Sequence, residues 1–350
     1  MRLASPRRLR AAVVLVCLAL GAVVLTAPAQ AATVADPVTP VFGAWVDPIA
    51  GYDPANTCLT TLQPGTELLK DLLATTYGRT AFDTLRACTG GVATSEHNDG
   101  RAIDFMLLAA NPADLAVATS FLTWLTKTDA AGVPFANARR LGIMYVIWNR
   151  QMWQAVDPVW RPYTGPVPHI DHVHISLSRA GAQLQTSFWK PYLSTSCDPL
   201  VANCALSQAA VDLFTMPGYH FAGGRIWHTW CEPFQTATRC WTYIKATVVV
   251  RSAAGVYSAV YGWAFNNITY TDVESPAWDA NPLAIPGAHL IGARSWSVTC
   301  SPAAATGPRV CRDSIWANVV GRVSTPNGYV FQSYQKWVFN GFVRLAAVPG

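Results

Sequence analysis

Charge is scarce in this sequence: Asp, Glu, Lys and Arg together make up 13% of it. Thiolate spacing is missing as well, since no two cysteines stand as CxxC, which argues against a sulfur-ligated zinc knot. Beyond residue 31 no run is long and apolar enough for a bilayer, which takes about 20 residues. Nor is there a basic excess to hold nucleic acid. Arg2, Arg7, Arg8 and Arg10 open the chain with no acid among residues 1–31, and losing that segment takes the formal charge from +5 to +1. A nearly neutral chain gives no support to nucleic-acid binding.

That opening segment has its own pattern. Its arginines precede an apolar run from Ala11 to Ala27, and Ala29-Gln30-Ala31 follows with small-x-small spacing. This is the layout of a secretory signal peptide, with a retained N-terminal anchor as the rival. The expected location is therefore extracellular, or associated with a cell wall. Cys17 lies in the leader, which leaves eight cysteines, an even count suited to disulfides in an exported chain. Sequence order suggests the pairs 58–88, 197–204, 231–240 and 300–311.

Residues 32–190 mix helix and strand signals and read as an α+β domain. A helix should start at Asn111-Pro112 and run toward Thr128, and a shorter one should cover Glu67 to Thr76. Strands are expected at Ala102–Leu107, Gly142–Trp148 and His172–Leu177. A linker over 191–215 leads to an all-β region made of two repeats, 216–284 and 285–350. PGYHFAGGRIWHTWCEP at 217–233 matches PGAHLIGARSWSVTCSP at 286–302, with a constant offset of 69. Each repeat reads as a β-meander with its hairpin closed by cysteines. Its tryptophans suit a β core or the faces of sugars, so a polysaccharide or another wall component is an expected ligand. His220 and His289 recur in step, as structural residues do.

Two stretches carry the chemistry. SEHNDGRAIDF, at 95–105, sets Asp104 between Ile103 and Phe105 in a strand, where a carboxylate is costly without a compensating cation. HIDHVHIS, at 169–176, holds three of the seven histidines. A hydrolytic zinc needs three protein ligands and one position open to water. His97, Asp104 and His174 are the expected ligands, with Gly100 allowing the turn between the first two. His172 would stand beside the open position, to donate a proton or hold an oxyanion. The general base is left between Asp171 and His169.

SEHNDGRAID fits the pattern SxHxxGxAxD, through Ser95, His97, Gly100, Ala102 and Asp104. In this the chain resembles the LAS metallopeptidases, which include D-Ala-D-Ala carboxypeptidases, murein endopeptidases and the zinc domain of hedgehog proteins. The HxH pair resembles the murein-endopeptidase branch, where the second histidine is the third zinc ligand and His169 has a counterpart in the active site. Asp171 stands where the carboxypeptidase branch has its acid, though glutamate is usual there. The stretches Arg86 to His97 and Arg139 to Asn149 are also similar to a group of secreted actinobacterial proteins. The resemblance implies a small antiparallel sheet with helices and a Zn2+ cofactor. It implies a peptidoglycan peptide as substrate, cut by a carboxypeptidase or an endopeptidase. It also implies an upstream arginine that holds a substrate carboxylate, for which Arg86 is preferred over Arg79. Ser95 and Trp148 are expected near the substrate. Trp153 and Tyr145 are further candidates for the cleft wall, with Tyr145 read as core. The rival expectation is a zinc-stabilised wall-binding module without turnover.

Overall fold

Proline and asparagine set the helix starts. The computed structural model describes residues 34–43, 45–190, 212–273, 275–301, 309–326 and 328–345. Helix α1 (Pro64–Tyr77) begins at a proline whose missing amide costs nothing in a first turn, and it stops where Gly78 adopts φ 62°. Helix α2 (Pro112–Thr126) starts at the expected place. The Asn111 side chain accepts from the amides of Ala113 at 2.9 Å and Asp114 at 3.2 Å. The short α3 (Ala136–Leu141) and α4 (Arg179–Ala182) have no counterpart in the sequence reading.

Six strands form the first sheet: β1 (Phe82–Asp83), β2 (Ala102–Met106), β3 (Ile143–Trp148), β4 (Gln151–Gln154), β5 (Asp157–Pro162) and β6 (His172–Leu177). Their order is β1-β2-β6-β3-β4-β5, and every neighbouring pair is antiparallel. Side-chain alternation divides the sheet into two faces. One face presents Ile103, Phe105, Val146, Trp148, Val173 and Ile175 to Leu69 and Leu73 of α1 and to Phe121 and Trp124 of α2, and this is the main core. The other face carries Asp104, Tyr145, His172, His174 and Ser176, and the loop from Asp83 to Arg101 folds over it. Strands β2 and β6 are buried on both sides, so the polar residues that alternate along them face the covering loop rather than solvent.

The β region forms one eight-stranded sheet. The first repeat supplies β7 (Gly218–Ala222), β8 (Arg225–Phe234), β9 (Ala237–Arg251) and β10 (Tyr257–Val273). After α5 (Ser275–Trp278) and a turn of 3-10 helix, the second supplies β11 (Gly287–Ile291), β12 (Arg294–Cys300), β13 (Arg309–Thr325) and β14 (Gly328–Leu345). The order is β11-β12-β13-β14-β10-β9-β8-β7, so the copies meet through their last strands. Those two strands run parallel, with Ile268 opposite Gly341 and Thr269 opposite Phe342.

Equivalent residues do equivalent work in the two copies. Lys245 pairs across strands with Trp263 as Trp316 does with Trp337, and both copies bulge at the matching asparagine, Asn266 or Asn340. Thr229 and Val298, Cys240 and Cys311, and Ile244 and Ile315 are buried pairwise. His220 bonds the carbonyl of Met216 at 2.8 Å, and His289 that of Ile285 at 2.7 Å, so each pins the loop that enters its own repeat.

The disulfides 58–88, 231–240 and 300–311 form as expected. The two hairpin bridges close loops of about ten residues, each worth on the order of 3 kcal/mol through the unfolded chain. Cys197 and Cys204, most of the expected linker and the leader lie outside the described residues. Among the described residues no helix is long and apolar enough to cross a membrane.

Candidate metal centre

Register alone brings two of the expected ligands together. Asp104 lies directly opposite His174 on β2 and β6, and His174 lies opposite Ile147 on β3, so the pair sits mid-sheet. His97 reaches them from the loop. Gly100 makes this possible: its φ is 70°, and a side chain there would meet the Thr61 carbonyl at 2.9 Å. The loop is held firmly. Leu59 and Gln63 donate amides to the carbonyls of Asn98 (2.8 Å) and Gly100 (3.1 Å), and the Cys58–Cys88 bridge fastens the same two segments. The Asn98 amide group donates to the carbonyls of Arg86 at 3.1 Å and Ala87 at 3.2 Å.

Ligand atoms of His97, Asp104 and His174 all lie within 4.8 Å of one another, and all three residues are buried. One oxygen is the focus. Asp104 Oδ1 lies 2.8 Å from His174 Nδ1, 3.2 Å from His97 Nε2 and 3.6 Å from His172 Nε2. The outer ring nitrogens define the tautomers. His97 Nδ1 contacts the carbonyl oxygen of Thr84, and His172 Nδ1 lies 2.8 Å from the Asp171 carboxylate. Both partners only accept, so both Nδ1 atoms carry hydrogen. In neutral rings the inward nitrogens then present lone pairs to a carboxylate oxygen. Lone pair facing lone pair is repulsive unless a positive centre lies between them. His174 adapts either way, because Ser176 Oγ, at 3.0 Å from its Nε2, can donate or accept.

Two imidazoles and one carboxylate around a buried point fit a divalent transition ion such as zinc. Burial by itself would raise the Asp104 carboxyl, but its close contacts with the His174 and His97 rings outweigh it and hold the group far below the usual range, as any positive charge at this oxygen would. Burial lowers His174, against the pull of Asp104, which favours the neutral ring that a ligand must be.

The remaining expected residues fall in different places. His169 lies against the centre, 4.8 Å from the ring of His172 and 5.7 Å from that of His174. Its φ of 51° bends the chain into β6, the irregular entry that Pro166 and Pro168 suggest. Nδ1 of His169 donates to the Val167 carbonyl at 2.6 Å, and burial lowers this ring too, with the neighbouring charge of His172 adding to the effect. Asp171 precedes the strand, with its side chain 58% exposed. Arg86 is half-exposed and bonds both Asp83 and the second oxygen of Asp104. Arg79 is spent elsewhere, on Asp114 at 2.8 Å.

Three aromatic expectations need correction. Trp148 and Trp153 point into the helix-covered core, on the opposite face of the sheet from the centre. Tyr145, read as core, is the aromatic at the site: it faces the ring of His174 at 5.5 Å and donates to Glu96 Oε2 at 2.7 Å. Parity along β3 decides this, because Tyr145 is opposite Ser176 and Trp148 lies an odd number of positions away. Ser95 turns its hydroxyl toward the His97 amide, 3.3 Å away, and so shapes the ligand loop. Glu96 and Ser176 were not anticipated. Ser176 follows His174 by two on the same strand and was legible from alternation; Glu96 had no signal of its own.

The chain is similar to the family model described as VldE, C-terminal domain, over residues 58–174. That span begins at the first bridged cysteine, ends on the third candidate ligand, and includes none of the repeats. No curated protein and no solved structure matches the chain.

Proposed function

We propose that this chain is a secreted zinc-dependent peptidase that hydrolyses peptide bonds in bacterial cell-wall peptidoglycan. One observation supports it above the rest: three imidazole nitrogens converge on a single buried carboxylate oxygen, at 2.8, 3.2 and 3.6 Å. Nothing in a purely structural role calls for that arrangement, and each ring's second nitrogen is already occupied.

His97, Asp104 and His174 would hold the ion. Zinc bound there supplies a Lewis acid and lowers the pKa of its water to about 7. His172 stands on the solvent side, oriented by Asp171 through Nδ1, so its Nε2 can pass a proton to substrate or steady a developing oxyanion. Asp171 thereby acts as a positioning group, and the proton-accepting role passes to His169, whose Nε2 keeps its lone pair. Arg86 has donors to spare on its exposed side, suited to a substrate carboxylate.

The test is hydrolysis of purified peptidoglycan by the mature protein. New amine and carboxyl termini should appear, stop with a chelator and return with zinc. A second reading, a zinc-stabilised wall binder without turnover, is favoured by one contact: the Arg86 guanidinium is already engaged by Asp83 and Asp104. Zinc-loaded protein that releases no termini would establish that reading instead.

A further inference from the structure

The internal duplication lets one repeat explain the other. In the first, the face opposite the disulfide packs on the metal-site domain. Ile226 is buried in that domain's core, Tyr219 meets Trp189 with ring centres 5.7 Å apart, and Lys245 pairs with Glu67 and Asp71 of α1. The matching positions in the second repeat are Ser295, Ala288 and Trp316, none of which can reproduce those contacts. The parallel junction also inverts the copies. Thr269, on the disulfide face of the first repeat, neighbours Phe342, on the opposite face of the second. The second repeat's outer face therefore looks away from the side that the metal-site domain covers.

The chemistry of that face points to a ligand. Trp316 and Trp337 are directly opposed on β13 and β14, with ring centres 5.3 Å apart, and the two residues are 40% and 46% exposed. Asn318 and Gln335 flank them, and Gln335 accepts the Trp316 indole N–H at 3.2 Å. Arg312 and Arg322 stand at the two ends of the same face of β13, both exposed. Ten residues of strand separate them by roughly 33 Å, several sugar units in length. Charge is lopsided: residues 285–350 hold six Lys and Arg against one acid, Asp313, which is buried on the other face, whereas residues 216–284 hold four of each.

We propose that the outer face of the second repeat binds an anionic polysaccharide. Tryptophan rings stack on the apolar faces of pyranoses, the amides reach ring hydroxyls, and the arginines take carboxylate or phosphate groups along the chain. A single-stranded nucleic acid offers the same signs of charge. The three disulfides suit an exported chain, which favours a glycan over a nucleic acid. The inference stands apart from the peptidase reading and survives its failure.

Affinity electrophoresis of the zinc-loaded chain tests it, with gels containing sodium polygalacturonate, uncharged dextran or a 30-mer of oligo(dT). Polygalacturonate has no peptide bond, so turnover cannot influence the result. Retardation by polygalacturonate alone is expected, falling steeply with salt. Trp316→Ala with Trp337→Ala should weaken it at least tenfold, and Trp230→Ala, an exposed tryptophan of the first repeat, should not. If the tryptophan pair fails to fold, Arg312→Glu with Arg322→Glu decides, and should abolish retardation. The proposal is overturned by no retardation in polygalacturonate, by equal retardation in dextran, by tighter binding to oligo(dT), or by an arginine pair that behaves like the parent.

Discussion

Asp104 and His174 stand directly opposite each other in the centre of the first sheet, and their side chains meet at 2.8 Å. Cross-strand neighbours of this kind are fixed by backbone register, so the pair is assembled before any ion arrives. Only His97 depends on a loop, and that loop is tied by a disulfide. The centre is accordingly pre-formed, and binding should cost little reordering.

Zinc should bind at one ion per chain and raise the thermal midpoint. At one hundred times Kd the stabilisation would be about 2.7 kcal/mol. Asp104→Ala and His97→Ala should each remove both effects. Calorimetry with and without chelator checks this, and identical melting curves would count against a metal centre.

His172 separates catalysis from binding. Its Nε2 is the most distant of the three from Asp104, and it sits outside the expected ligand set. His172→Ala should leave zinc stoichiometry unchanged and lower the turnover of peptidoglycan peptides by about 100-fold or more. A variant that loses its zinc would instead make His172 a ligand.

Lys245 fastens the first repeat to α1. It is buried, and both Glu67 and Asp71 bond it, which raises its pKa although burial alone would lower it. Removing one partner of a buried ion pair costs about 3–5 kcal/mol. Lys245→Met should lose on the order of 3 kcal/mol in urea unfolding. Adding Glu67→Gln and Asp71→Asn should restore most of it, and no recovery would mean that packing, not charge, accounts for the loss.

Asp313 should make the protein more stable in mild acid. It is buried, Asn340 donates to it at 3.1 Å, and burial outweighs this and lifts its carboxyl to about 6. With the folded pKa above the unfolded one, this group's stabilising contribution is complete below pH 4 and disappears as pH rises through 6. Asp313→Asn should therefore be more stable than the parent at pH 7.5, by on the order of 2 kcal/mol, and equal to it near pH 4. Denaturant midpoints at the two pH values read the difference, and a less stable variant at pH 7.5 would reverse the sign.

Local rules were legible in the sequence. The Asn111-Pro112 helix start, the strand at His172–Leu177 and the glycine turn at 100 each follow from a few adjacent residues, and three bridges follow the order of the cysteines along the chain. So did the candidate ligands, because an acid between Ile103 and Phe105 and a run of histidines are anomalies visible without coordinates. The repeat was visible too, since duplication preserves spacing.

Other features could not be read from spacing. That Tyr145 faces the centre while Trp148 faces the core depends on how β3 registers against β6, and an odd shift would have exchanged them. Likewise, the two repeats are alike in sequence, yet their parallel junction turns their outer faces to opposite sides of one sheet, one covered and one open. Composition and local pattern dictate what each segment prefers to be. Which side of a sheet a residue occupies is a property of pairing between distant strands, and only the assembled fold decides it.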